Sequence, residues 1–268
     1  MICTTRHCLP LLLILILSLG SLACSTTQSQ TGDQTADLTQ AHHQRAQALF
    51  VQGNLALDEE NWEAAIRFYD DALNLHPQRW DIHMNRGIAL TRVQRFRDAT
   101  DAFAQALESG GDQDPELYFN LGNLHQERGL YEHAIDAYRT SLAYRNSLDY
   151  DTLLNIAAAY TFVHSYADAR QTIERAITLN PDDPRGYLSL GLITFSEEEP
   201  DEALRIYDEL IANYPGFAPA HYNRGFVLMR LGQRQEALDA FRTYLELDPD
   251  GPYVRQAQGN INTIERRL

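Results

Sequence analysis

The residue types that most often carry out chemistry are few in this chain and are spread apart. The 268 residues include three cysteines, Cys3, Cys8 and Cys24, all within the first 24 positions. A disulfide framework or a cysteine-based zinc site is therefore excluded from the rest of the chain. Nine histidines are present. The adjacent pair His42 and His43 cannot point in the same direction on a helix, which indicates solvated surface residues.

Two other histidines, His125 and His133, are predicted to lie on opposite helices of one hairpin, but no third ligand stands at metal-binding spacing. The chain has no phosphate-binding glycine loop, no GxSxG motif and no HExxH motif. The stretch DPDGPY, 248–253, begins like a calcium loop but lacks the downstream ligands. We therefore predict that the protein is not an enzyme and has no cofactor, no metal site and no small-molecule substrate.

The charge of the chain argues against nucleic acid as a partner. Asp and Glu number 37 and the basic residues 22, which gives a formal net charge of −15. Every basic residue is arginine, and these arginines form no cluster. Binding to phosphates needs massed positive charge. Direct electrostatic adsorption to anionic lipid is disfavoured for the same reason.

The first 23 residues have the pattern of an export signal. Arg6 and the free amine form a short positive start, and residues 9–19, LPLLLILILSL, form an apolar run. A membrane-spanning helix needs about 20 apolar residues, whereas a short run followed by small residues is typical of a secretory signal. Residues 1–23 are therefore predicted to be a signal peptide. The alternative is a buried N-terminal helix, although the run lacks the polar stripe of such a helix.

The end of this segment, SLAC at 21–24, resembles the lipobox of bacterial lipoproteins, in which a small residue precedes a cysteine. The resemblance implies that Cys24 becomes the first mature residue and carries the lipid that anchors the protein to a membrane. Ala23 fits the pattern. Ser21 departs from it, because the family prefers leucine there, so cleavage without lipidation stays an alternative. Residues 24–40 are rich in Ser, Thr and Gln and are predicted to form a flexible tether.

The residue after the cysteine bears on which membrane holds the anchor. In the lipoprotein family, aspartate at this place retains the protein in the inner membrane, whereas this chain has Ser25. The resemblance therefore implies the periplasmic face of the outer membrane. In a cell with one membrane, the same anchor implies the outer leaflet of the plasma membrane.

From residue 46 onward the chain repeats itself every 34 or 35 residues. Each copy has a small residue, then Ala twelve residues later, then a large residue four positions further on. Small residues let two helices approach closely, and we expect the large residue to fill space between hairpins. The small residues are Gly53, Gly87, Gly122, Ala157, Gly191 and Gly225, and the large ones are Tyr69, Phe103, Tyr138, Ile173, Tyr207 and Phe241.

This pattern resembles the tetratricopeptide repeat (TPR), a helix–turn–helix unit of 34 residues. The resemblance implies an all-α, right-handed superhelical solenoid in which stacked hairpins bury a continuous core. The six predicted repeats lie within 41–251, at 46–79, 80–113, 115–148, 150–183, 184–217 and 218–251. Residues 252–268 have an apolar stripe and are predicted to form a capping helix. Extra residues Asp114 and Asp149 flank the third copy, where we expect the solenoid to bend or flex, or to hold a different rigid angle.

In the TPR family, the first helix of each hairpin lines a concave groove that binds partners. Because the chain has no lysine, it lacks the usual clamp for a C-terminal carboxylate, and an apolar or aromatic-bearing peptide or helix fits better. The alternative for any single position is a core role. The implied partner-binding groove residues are Phe50, Asn54, Leu57, Met84, Ile88, Arg92, Phe119, Asn123, Gln126, Leu154, Ala158, Phe162, Leu188, Leu192, Phe195, Tyr222, Phe226, Met229 and Arg230.

The predicted function is a membrane-anchored, non-enzymatic scaffold or adaptor that mediates protein–protein interaction in the cell envelope. Six repeats behind a lipobox also resemble the pilotins, which help outer-membrane secretins assemble in type IV pilus biogenesis. An adaptor for peptidoglycan hydrolases or proteases is a further alternative. No residue in the sequence selects between these roles.

Overall fold

The computed structural model describes residues 39–266, and every regular element within them is helical. The predicted all-α class is confirmed. The predicted signal peptide, Cys24 and most of the predicted tether lie outside the described residues, although the chain is already helical at residue 39. The helices are α1 (39–58), α2 (Trp62–Leu75), α3 (Trp80–Arg92), α4 (Phe96–Ala106), α5 (Pro115–Glu127), α6 (Tyr131–Arg145), α7 (Tyr150–Phe162), α8 (Tyr166–Leu179), α9 (Pro184–Ser196), α10 (Pro200–Asn213), α11 (Ala218–Arg230), α12 (Arg234–Leu247) and α13 (Val254–Glu265).

Successive helices pair into six hairpins, α1–α2 to α11–α12, and each hairpin packs on the next. The turn inside every hairpin contains one residue in the left-handed region, with φ between 56° and 78°. This conformation reverses the chain within a few residues, at a steric cost for any side chain. The six residues are Glu60, Gln94, Gly129, His164, Glu198 and Gly232.

In five of the six hairpins, the core is built on a ring that lies against a glycine. A Cβ atom added to Gly122 would come within 2.5 Å of a ring carbon of Tyr138, and one added to Gly191 within 2.6 Å of Tyr207. The large residue therefore packs on the small residue of its own hairpin, where we had expected it to fill space between hairpins. In the fourth hairpin, the fully buried pair Ala157 and Ile173 holds these positions.

The two junctions that flank the third hairpin differ from the others in backbone geometry. A π-helical turn, Leu107–Gly111, follows α4, with φ of 103° at Gly110, and Asn146 is left-handed after α6. The extra residues are helix caps: Asp114 accepts a hydrogen bond from the Leu117 N–H at 2.9 Å, and Asp149 accepts one from the Thr152 N–H at 2.9 Å. Each cap satisfies an N–H group that the first turn of a helix leaves unpaired.

The last helix, α13, packs against α12 and closes the C-terminal end of the solenoid. Ala257, Ile261 and Ile264 are buried, and they form part of the predicted apolar stripe. The opposite face carries polar side chains such as Gln256 and Asn262, which are exposed. Across residues 39–266, no helix has both the length and the apolar character needed to cross a bilayer.

Candidate functional site

The predicted groove residues all lie on the first helix of a hairpin, that is on α1, α3, α5, α7, α9 and α11. All of them except Tyr222 keep part of their surface accessible. The largest exposed fractions among the apolar ones belong to Phe162 at 58%, Leu192 at 47% and Phe226 at 38%. Large apolar side chains that stay exposed along one wall are typical of an interaction surface.

Tyr222 is the exception, because only 7% of it is exposed. Its ring stacks against Tyr253, with centroids 4.5 Å apart and planes 12° apart. Tyr253 is fixed in turn by a hydrogen bond of 3.0 Å from its backbone N–H to the hydroxyl of Tyr244. The connection between α12 and α13 thus covers the wall at this point. The expectation that Tyr222 lines the open groove is wrong for this structure.

A cavity of about 300 Å³ lies in the groove where α3, α5 and α7 meet. Its walls combine an apolar floor with side-chain amides, which can both donate and accept hydrogen bonds. Five of the predicted groove residues are brought together here. The lining residues are Ile88, Thr91, Arg92, Phe103, Phe119, Asn120, Asn123, Gln126, Glu127 and Asn155.

Buried tyrosines of the second helices hold two of the groove amides in place. The Tyr69 hydroxyl donates to Asn54 Oδ1 at 2.8 Å, and the Tyr138 hydroxyl donates to Asn123 Oδ1 at 2.8 Å. Burial raises the pKa of both phenols well above the usual value, so they remain protonated donors. Because each amide oxygen is engaged, the amide NH₂ group of Asn123 remains available as a donor to a ligand.

A second set of asparagines was not predicted to lie in the groove. Each stands two residues before the small residue of its copy, at Asn85, Asn120, Asn155 and Asn223. Asn120 and Asn155 line the groove cavity, and the Asn85 amide donates to Asn54 Oδ1 at 2.9 Å. The available signal was the recurrence of one amide residue at the same repeat position.

The three most exposed apolar residues among the predicted groove positions lie on α7, α9 and α11. Phe162 projects from the end of α7 and stacks on Tyr131, with ring centroids 4.4 Å apart and planes 5° apart. Leu192 and Phe226 follow on α9 and α11. These exposed apolar side chains adjoin the cavity that is lined by side-chain amides. The groove therefore offers both hydrogen-bonding groups and apolar surface to a partner.

The two histidines of the third hairpin lie close together, with ring centroids 5.5 Å apart. Partial burial lowers the pKa of His125, and the nearby His133 and Arg128 lower it further. Among residues 39–266, no group of three or more His, Cys, Asp or Glu side chains is placed to hold a metal ion.

The stacked hairpins and the continuous accessible wall define a helical-repeat solenoid with an open groove. Two family models, both described as tetratricopeptide repeat, match the chain at residues 190–262 and at 50–93, 85–147 and 157–216. The chain belongs to the tetratricopeptide repeat family.

Two curated relatives match this chain at low sequence identity. A BBSome complex member BBS4 homolog of Drosophila melanogaster is 22% identical over 244 residues, which cover 75% of this chain and 50% of that protein. Anaphase-promoting complex subunit 6 of Arabidopsis thaliana is 25% identical over 182 residues, which cover 63% of this chain and 33% of that protein. The chain thus spans half or less of the length of these relatives.

Solved structures share the fold over most of the chain. A tetratricopeptide repeat protein from Parabacteroides merdae matches with a TM-score of 0.68 and 19% identity, covering 83% of this chain and 93% of that one. PilW, described as a type IV pilus biogenesis factor, matches with a TM-score of 0.67 and 15% identity, covering 80% and 98%. PilF of Pseudomonas aeruginosa matches with a TM-score of 0.61 and 18% identity, covering 82% and 99%.

Proposed function

We propose that this protein is a non-enzymatic adaptor of the cell envelope that holds a segment of a partner protein in its groove. The observation that carries the proposal is the accessible wall of first-helix side chains, in which a cavity lined by amides adjoins exposed Phe162, Leu192 and Phe226. Membership of the tetratricopeptide repeat family supports a role in protein–protein interaction.

The groove has the chemistry to hold an extended peptide or a partner helix. Amides such as Asn120, Asn123 and Asn155 can pair with the N–H and C=O groups of a peptide backbone. Burial of one large apolar side chain of the partner contributes about 1.5–3 kcal/mol. A partner segment that places apolar side chains against Phe162 and Phe226 therefore fits this wall better than a highly charged one.

A lipid at Cys24 is the second part of the proposal, and it rests on the lipobox-like sequence. Residues 25–38 separate Cys24 from the described start of α1, and a segment of this length spans at most about 50 Å. The anchor would keep the groove within that distance of the membrane, which we propose to be the periplasmic face of the outer membrane. In a one-membrane cell it would be the outer leaflet of the plasma membrane.

The narrower role we propose is assembly of an outer-membrane secretin, in the manner of a pilotin. Six hairpins behind a lipobox-like signal support it, and PilW, which shares the fold, is described as a pilus biogenesis factor. An adaptor for peptidoglycan hydrolases or proteases is the competing role, and the groove chemistry suits either partner.

The groove is tested by purifying the tagged protein from detergent-solubilised membranes and identifying the proteins that elute with it. The double variant Phe119→Ala and Phe226→Ala should lose the partner, because it truncates both parts of the wall. Leu179→Ala is the matched control, since Leu179 is 47% exposed on α8, outside the groove. Secretin among the lost proteins supports a pilotin, and wall hydrolases support the competing role. A partner that survives the double variant contradicts the groove proposal.

The anchor is tested separately by membrane fractionation of Cys24→Ser. We expect the variant to leave the membrane fraction while it still binds its partner. If the variant stays in the membrane fraction, the proposal of a lipid anchor at Cys24 is wrong, and the groove proposal is unaffected.

A further inference from the structure

A larger cavity, of about 550 Å³, opens between α8, α9 and α10. Its apolar lining comes from Leu190 on α9 and from Ile206 and Leu210 on α10, and Tyr187 and Tyr214 add aromatic surface. Ile206 and Leu210 are buried, so this lining belongs to the ordered core of the fifth hairpin. The volume lies within the range of pockets that bind small molecules or single anchoring side chains.

The cavity lies on a different face of α9 from the groove. Leu188 and Leu192 belong to the groove wall, and Leu190 stands midway between them in sequence. Because successive residues of a helix are rotated by about 100°, Leu190 lies about 160° from both neighbours around the helix axis. A ligand in the cavity therefore does not compete for space with a partner in the groove.

The residue before the small residue of the repeat differs between the copies. In the second and sixth copies it is an arginine that reaches back to the preceding hairpin. Arg86 pairs with Asp70 at 2.6 Å, and Arg224 pairs with Asp208 at 2.6 Å. At the corresponding place the third, fourth and fifth copies have the apolar residues Leu121, Ile156 and Leu190. Leu190 carries no charge, so it cannot form the ion pair that the two arginines form.

The charged residues around the cavity are already paired with one another. Arg170 forms an ion pair with Glu197, and Arg205 forms one with Glu202 at 2.6 Å. These pairs neutralise the charges nearest the cavity, so an uncharged group can enter without rearranging them. One polar contact remains: the Asn213 amide nitrogen donates to the Glu209 carbonyl at 2.9 Å, which leaves the Asn213 side-chain oxygen free to accept.

We propose that this cavity is a second docking site, which takes an uncharged aromatic side chain with an N–H donor, that is the indole of a tryptophan, from a second partner protein. The apolar lining and the two tyrosines receive the ring, and the Asn213 oxygen accepts the indole N–H. Tryptophan is among the residues that most often anchor protein interfaces in such pockets. With the groove on another face, the adaptor can bridge two proteins at once.

The test uses N-acetyl-tryptophanamide as the probe, titrated into the full-length protein and followed by ligand-observed NMR. Leu190→Arg introduces the arginine found in the second and sixth copies, with Glu174 of α8 in place of the aspartate. This variant should weaken binding by at least about tenfold. N-acetyl-tryptophan, which carries a carboxylate, should bind more weakly than the amide. Phe119→Ala, in the groove, should leave binding unchanged.

A second variant keeps the test decisive if Leu190→Arg fails to fold. Asn213 is exposed, so Asn213→Leu removes the acceptor without disturbing the core. It should weaken N-acetyl-tryptophanamide by about three- to tenfold and leave N-acetyl-phenylalaninamide unaffected. The proposal is overturned if the probe does not bind the wild type, if a folded Leu190→Arg binds it equally, or if Asn213→Leu weakens both amides alike.

Discussion

At the residue scale, the fold depends on contacts between a glycine of a first helix and a ring of the paired second helix. The ring occupies the volume that a Cβ atom would need, as at Gly122 and Tyr138. The sequence pattern predicted both partners of this contact, because their spacing recurs in every copy. It did not predict that the contact is made inside one hairpin, since the spacing gives no information about which faces meet.

Gly122→Ala should lower the free energy of unfolding by about 1–3 kcal/mol, because the added methyl group overpacks the contact with the Tyr138 ring. Urea denaturation followed by circular dichroism measures the change. Gly259→Ala is the matched control, since no heavy atom lies within 4 Å of the added Cβ. This control should raise stability by up to about 1 kcal/mol through helix propensity. Equal losses in the two variants would contradict the packing account.

Stability should fall at alkaline pH because of three buried phenols. Burial raises the pKa of Tyr69, Tyr138 and Tyr207 well above that of free tyrosine. In the unfolded chain these groups lose their protons near pH 10, while the folded protein retains them. The unfolded state then binds fewer protons, so the free energy of unfolding decreases as pH rises above about 10.

The measurement is the urea midpoint as a function of pH, compared between wild type and Tyr138→Phe. The wild-type midpoint should fall above about pH 10, and the variant should show a shallower fall because it has one fewer buried phenol. Equal slopes for the two proteins would show that Tyr138 is not one of the responsible groups.

At the element scale, the helices and their order followed from the repeat period, but the details of turns and caps did not. Four of the six hairpin turns place a residue other than glycine in the left-handed region. The sequence therefore lacked the glycine signal that would have marked these turns. Asp114 and Asp149 were recognised as extra residues, and the structure gives them a role as helix caps.

Because the turns need a left-handed residue, we expect opposite effects on stability from substitutions at two equivalent turn positions. Gly232→Ala should lower the free energy of unfolding by about 1–2 kcal/mol, because φ is 78° there and an L side chain is disfavoured. Glu198→Gly, at the equivalent turn with φ of 63°, should not destabilise and should raise the melting temperature if relief of strain exceeds the added chain entropy. Differential scanning calorimetry measures both. A loss in Glu198→Gly as large as that in Gly232→Ala would contradict the steric account.

At the scale of the whole molecule, the groove was only partly predictable from the sequence. The groove positions implied by the TPR resemblance lie on the correct helices. Tyr222, however, is covered by Tyr253, which lies in a connection outside the repeat pattern. The amide set at Asn85, Asn120 and Asn155 was visible as a recurrence, yet its role depends on which side chains meet in the cavity.

Deletion of residues 252–268 should destabilise the solenoid from its C-terminal end. It removes Tyr253 from Tyr222 and exposes the α12 surface that α13 covers. Because each hairpin contacts mainly its neighbours, the loss should propagate weakly. Hydrogen exchange should become faster in α11 and α12 and stay nearly unchanged in α2 and α3. A uniform increase along the chain would indicate a cooperative unit larger than the hairpin.

Site-specific photo-crosslinking can show whether a partner segment lies in the groove. A photoreactive phenylalanine analogue is placed at Asn155, in the groove cavity, or at Ala143, which is exposed on the second helix α6. We expect crosslinks from position 155 to converge on one segment of one partner, and position 143 to give none to that segment. Equal crosslinking of this segment from both positions, or from position 143 alone, would contradict the claim.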